Sequence, residues 1–343
     1  MVALKEPNTK TTEVIEQVSK VAKLGLSLDT LLEQAHSIQS NCKDFNISKL
    51  SENFMFDDGQ LHFIPDGQQK TEHFGITRYA LSQLCNKLGV PTKYIEKCID
   101  TGNMGLACEN INTWASDFNR SAFIRTYENN VRGILSDRYQ TLDTPDILGV
   151  LSEVIDPQMY STKGYLMNPE RFHARIVQND MMKIKGEDLF AGIQIDSSDV
   201  GRSTLSVKFF IFKQICTNGL CIAKGSGLLY QQRHIGINAD DFLNGLRDTF
   251  KLIPDLTAQA IEMIQNSISQ KISEEDIEHL IKQVQLNTRL SDDDVKSVFD
   301  LMEQHYSPNK WGLINSITEI AQKFTLERRI ELERIAGDML AVA

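Results

Sequence analysis

The sequence predicts an α+β fold, with a central antiparallel sheet carrying helices on one face, an N-terminal helical segment and a helical C-terminal region. Three observations predict it. Between about Ser121 and Ile237, apolar and polar residues alternate with the period of strands. From Thr11 to Ser40, apolar residues recur at helical spacing. From Asn238 onward, serine followed by acidic residues marks helix starts in succession. The expected organisation is an extension over residues 1–73, an α+β core over 74–237 and a helical region over 238–343.

In order along the chain, Val14, Val18, Val21 and Leu24 form one helical stripe, and Leu28, Leu31, Leu32 and Ala35 another after a break at Gly25. FMFDDGQLHFIPDG is a loop-rich stretch with short strand candidates. Leu81, Leu84 and Leu88 share a helix face that stops at Gly89, and Pro91 suits the first turn of the next helix. A third helix runs from about Met104 to Phe118, and another opens at Thr144-Pro145-Asp146. In the C-terminal region, Ser273 and Ser291 each precede three acids that favour a helix N-terminus, and Ser307-Pro308 places proline at a first helical position.

FIRTYENNVRGILSDRYQTLD (123–143) reads as a β-hairpin turning at Asn129-Asn130, since asparagine tolerates positive φ. In that register Phe123, Arg125 and Tyr127 lie with Arg132, Ile134, Ser136 and Arg138, while Ile124, Thr126 and Leu135 point to the core. RFHARIVQ repeats the pattern, with Arg171, His173 and Arg175 opposite Phe172, Ala174 and Ile176. Arginine beside aromatic rings is the chemistry that holds phosphates and stacks bases of single strands. The expected DNA-binding residues are therefore Arg125, Tyr127, Arg132, Arg138, Tyr139, Arg171 and Arg175. Cys216-Thr217-Asn218-Gly219-Leu220-Cys221 carries the strongest short turn signal, Asn-Gly between two apolar strands.

The chain has 343 residues, 41% hydrophobic and 24% charged, enough for a large core without staples. It has no run of about 18 apolar residues and no apolar leader, so no membrane contact and a cytoplasmic location are expected. The net charge of −10 is uneven. Residues 1–110 carry 11 basic and 14 acidic side chains, 111–235 carry 14 and 13, and 236–343 carry 11 and 19. Six cysteines (Cys42, Cys85, Cys98, Cys108, Cys216, Cys221) have no zinc-ligand spacing, so reduced thiols and no metal are expected. The phosphate loop, the zinc-protease helix motif and the serine nucleophile elbow are missing, so no catalytic residue and no cofactor are assigned.

FGITRYALSQLCNKLGVPTKY (74–94), VRGILSDRYQTLD (131–143), FKQICTNGL (212–220), WGLINSITEIAQ and LERIAGDML (311–340) together resemble the phage/plasmid-like proteins carried as a domain of unknown function. That resemblance implies a mobile-element setting and supplies no reaction or site residues. The expectation drawn from residues and resemblance together is a non-enzymatic single-stranded DNA-binding protein, with strand annealing and homo-oligomer formation as companions. Two alternatives stand beside it. One is an interaction protein that blocks a host defence component, with a host or phage protein as partner and the acidic C-terminal helices as contact surface. The other is a metal-dependent nuclease using Asp57, Asp58 and Asp66 near Lys70.

Overall fold

The computed structural model describes residues 25–213, 218–220, 228–236, 238–288 and 290–341. The expected helical stripe from Val14 to Leu24, and Cys216 and Cys221, lie outside the described residues. The fold is α+β with eleven helices among the described residues, and it contains two sheets in place of the expected one.

The chain enters through α1 (Leu28–Gln39), whose N-cap Ser27 accepts a hydrogen bond from Thr30 N at 3.1 Å. The first sheet has strands β1 (Cys42–Ile47), β2 (Phe54–Asp57), β3 (Gln60–Phe63), β4 (Glu72–Ile76), β5 (Ala122–Tyr127) and β6 (Asn130–Leu135), in the order β1-β5-β6-β4-β3-β2. All pairs are antiparallel except β4 with β6. Residues 42–76 thus supply four strands of a sheet completed by 122–135, and the expected boundary at 73 falls inside β4. Helices α2 (Arg78–Leu88), α3 (Thr92–Asp100) and α4 (Met104–Ser116) pack with this sheet around Phe56, Phe63, Leu84, Ile95, Ile111 and Ile124. Gly89 ends α2 at φ 71°, the left-handed conformation that glycine adopts without a Cβ clash. Pro91 is the N-cap of α3, one residue ahead of the expected position.

After α5 (Thr144–Val154) comes the second sheet: β7 (Tyr160–Met167), β8 (Phe172–Gln178), β9 (Met182–Ile184), β10 (Glu187–Ser197), β11 (Leu205–Lys213), β12 (Asn218–Leu220) and β13 (Leu228–Gln232). Its central order is β12-β11-β10-β8-β7, with β13 on β11 and β9 on β10. Asn218 and Gly219 do not form the expected turn; they pair with Lys213 and Phe212, since ladder pairing overrides the local signal.

The C-terminal region is α6 (Ala239–Lys251), α7 (Ile253–Ser269), α8 (Glu274–Thr288), α9 (Asp292–His305), α10 (Lys310–Ala321) and α11 (Leu326–Ala341). Ser291 forms the expected capping box with Asp294. Ser307-Pro308 does not start a helix; Asn309 caps α10 by accepting from Gly312 N at 2.8 Å. These helices share one core with α1, α5 and the second sheet, through Ile147, Phe172, Ile193, Phe209, Phe242, Ile314 and Leu332. Among the described residues, no helix is long and apolar enough to cross a membrane.

Candidate functional site

The hairpin forms, but one residue off the expected register. Tyr127 pairs with Asn130, so the two-residue turn is Glu128-Asn129, with Glu128 at φ 49°. Between Thr126↔Val131 and Arg125↔Gly133 the register shifts, leaving Arg132 as the extra residue of a β-bulge. That bulge brings Arg132 beside Arg125, and both reach Asp199 in the loop (198–204) between β10 and β11.

The expected exposed basic face is therefore an interior ionic junction. Arg125 and Arg132 are each 1% exposed. Arg125 donates to Asp143 Oδ1 and Oδ2, both at 2.6 Å, to Asp44 Oδ1 and Oδ2 at 2.9 and 3.0 Å, and to the Asp199 carbonyl at 2.7 Å. Burial opposes its charge, but the hydrogen bonds and charges of Asp143 and Asp44 outweigh burial and raise its pKa above the ordinary arginine range. Arg132 donates Nη1–H to the Pro169 carbonyl and lies 3.4 Å from Asp199 Oδ2. Its Nε and Nη2 find no partner, and beside it lies a cavity of about 10 Å³, lined in part by Gln39, Thr144, Asn168 and Asp199. That space is the size of one water.

Asp199 ties this junction to α5. Its Oδ1 accepts from Thr144 N and Thr144 Oγ1, each at 3.1 Å, at the positive end of the helix. Burial, and then the charge of Asp143, push its carboxyl up to about 6 against the pull of Arg132 and Arg125. Gln83 of α2 closes the joint between the sheets, accepting from Ile134 N at 2.8 Å and donating to the Val200 carbonyl at 2.9 Å.

The second basic strand is enclosed in the same way. Phe172, Ala174 and Ile176 enter the core as expected, but the opposite face of β8 is covered. Arg175 donates to Gln194 Oε1 at 3.1 Å and to Glu333 Oε2 of α11 at 2.6 Å, and Glu333 is 0% exposed. His173 Nδ1 lies 2.7 Å from Asp196 Oδ1. Burial raises the Asp196 carboxyl, but the His173 contact and Gln194 more than offset this, leaving it at about 2.

Of the seven residues expected to bind DNA, Arg125, Arg132, Arg175 and Tyr139 are buried, so they are not available to phosphates or bases in this fold. Tyr139 stacks on His234 at 5.3 Å between ring centroids and donates to the Ser198 carbonyl at 3.2 Å. Arg138 is exposed, while Tyr127 and Arg171 are half-buried. Two of the aspartates weighed for a nuclease, Asp58 and Asp66, have structural roles. Asp58 and Gly59, at φ 42° and 73°, form the β2–β3 turn, and Asp66 accepts from Ser48 N and Oγ.

A concavity of about 750 Å³ lies in the C-terminal helices, where the sequence points to no site residue. Ile272, Leu280, Val284, Ile335 and Met339 give it an apolar floor; Gln270, Gln283 and Asn287 add amides. Lys271, Lys310 and Arg334 face it with Asp276 and Asp338, and Arg334 pairs with Asp338 at 2.9 Å. Leu286, on the same side of α8 as His279 and Gln283, is 78% exposed beside it. An apolar floor with convergent polar groups is the usual form of a binding cleft.

The chain belongs to a family defined by a domain of unknown function, DUF932, whose model matches residues 131–337, from β6 into α11. No curated protein and no solved structure matches the chain.

Proposed function

We propose that this DUF932 chain is a binding protein that recognises an amphipathic segment of a protein partner in the cleft between α8, α10 and α11. The cleft itself carries the reading: an apolar floor flanked by amides and charges, next to the highly exposed Leu286. A helix laid into such a groove buries its apolar stripe and leaves its polar face to the rim. Residues 236–343 hold 19 acidic against 11 basic side chains, so a segment with basic flanks fits best. The resemblance to phage- and plasmid-borne proteins supports a host protein as that partner.

A designed helical peptide of leucine and lysine, titrated at physiological salt, tests the reading. Its amide shift changes should cluster on α8, α10 and α11. Gln283→Trp, which fills the cleft from an exposed position, should weaken binding at least tenfold. Equal affinity in that variant, or shifts spread over the whole acidic surface, would overturn the proposal.

Single-stranded DNA binding is a second reading, favoured by Tyr127, Arg138 and Arg171 being at least partly accessible. An oligonucleotide in the same titration should then perturb the hairpin and the β7–β8 turn and leave the cleft unchanged.

A further inference from the structure

The solvent side of the first sheet aligns a thioether and two imidazoles, all metal-binding groups, across adjacent strands. Met55 of β2 is paired with His62 of β3, and His62 with His73 of β4. Their neighbours Phe56, Leu61, Phe63 and Phe74 point to the core, so this row faces outward by the alternation of strands. Met55 is 49% exposed and His73 is exposed. The two imidazoles meet edge to face, 4.7 Å between centroids, with Nδ1 of one 2.5 Å from Nδ1 of the other.

We propose that Met55, His62 and His73 form a copper site. A contact between two Nδ1 atoms needs one to carry the proton and the other to accept it. Moving that proton to Nε2 of the same ring frees both Nδ1 lone pairs, and an opening of under about 1 Å gives metal–nitrogen bonds of about 2.0 Å each. From the neutral pair this exchange releases no net proton. Two imidazoles suit zinc, nickel and copper alike, whereas a thioether as third donor selects copper(I). Among the described residues no cluster of three His, Cys, Asp or Glu side chains offers a metal site, so the choice of metal falls to the methionine. Asp57, two residues along β2 and exposed, adds negative charge on the same face.

The test is an anaerobic copper(I) titration of the full chain against a chromophoric chelator, with imidazole nitrogen NMR to locate the metal. Thiols are common to all variants, so the difference between chains isolates this site. Wild type should bind one more equivalent than His62→Gln/His73→Gln, and the Nδ1 resonances of His62 and His73 should move together. Met55→Leu should weaken copper(I) at least tenfold and leave zinc binding unchanged. Near-ultraviolet circular dichroism checks that these surface variants keep the fold. Equal stoichiometry in the double variant, or His62 and His73 resonances that do not move, would overturn the site. Copper affinity unchanged in Met55→Leu would overturn the copper assignment.

Discussion

Arg125 and Asp143 meet in a two-pronged ion pair, Nη1 to Oδ1 and Nη2 to Oδ2, both at 2.6 Å. Asp143 is also the N-cap residue of α5, so the pair joins the hairpin of the first sheet to the helix that enters the second sheet's core. Buried ion pairs add little net stability relative to a well-packed apolar pair, but losing one partner strands the other charge. Arg125 keeps Asp44 as a partner within the first sheet, so the charge that depends on how the two sheets meet is that of Asp143.

Arg125→Ala should accordingly destabilise the chain by about 3–5 kcal/mol, through the buried Asp143 it leaves behind. Arg125→Met with Asp143→Leu should cost much less than the sum of the single changes. Urea unfolding of the four chains measures this. Additive losses would show that the two side chains do not act as a pair.

The pH dependence follows from two carboxyls with opposite shifts. Asp199, at about 6 in the fold and about 3.9 unfolded, binds more protons when folded between these values. Its contribution is full below about pH 4 and is lost as pH rises through about 6. Asp196, held at about 2, contributes above about pH 4 and loses that contribution as pH falls towards 2. Stability against pH should therefore lose its decline between pH 4 and 6 in Asp199→Asn, and part of its acid limb in Asp196→Asn. Curves that keep both slopes would remove these carboxyls from the linkage.

Gly133 lies where the bulge presses against the loop after β10. A Cβ there would sit 2.9 Å from Val200 Cβ and Cγ1, and Val200 is fully buried. Gly133→Ala should cost about 1–3 kcal/mol by overpacking, and Val200→Ala in the same chain should recover part of the loss. The melting temperatures of the singles and the double decide it; a double no better than Gly133→Ala would place the strain elsewhere.

Local chemistry explains what the sequence made legible. The Ser291 capping box, the Gly89 stop and the apolar sides of β5 and β8 depend on neighbours a few residues away, and all appear where expected. Alternation reports that a strand has two faces, but not what covers the second. Arg175 is buried by Glu333, 158 positions along the chain, and Arg125 by Asp44, Asp143 and Asp199 from three different segments. Nor does strict alternation foresee the bulge at Arg132: it places Ile134 beside the arginines and Leu135 in the core, whereas the extra residue turns Ile134 into the core opposite Ile124. The cleft escaped notice because its walls come from residues 270–287, 310 and 334–339, each ordinary as a single helix.

The surface and interior arginines should separate cleanly in a DNA-binding measurement. Arg138 is exposed and Arg171 half-buried, so both guanidinium groups are at least partly open to phosphates. If the chain holds single strands, Arg138→Ala with Arg171→Ala should flatten the log–log salt slope by about one to two units, because each lost phosphate contact removes about 0.7 of a released counterion. The melting temperature should change little, since such surface substitutions usually stay within about 0.5 kcal/mol. Arg125→Ala should do the reverse, lowering the melting temperature at every salt concentration while any binding by the folded fraction keeps its slope. Tyr127→Phe against Tyr127→Ala then isolates stacking: only the alanine loses the ring, worth about 1–3 kcal/mol against a base. Unchanged affinity and slope in the surface double variant, with a well-folded chain, would leave the exposed side of the hairpin without a nucleic-acid role and the helical cleft as the remaining binding surface.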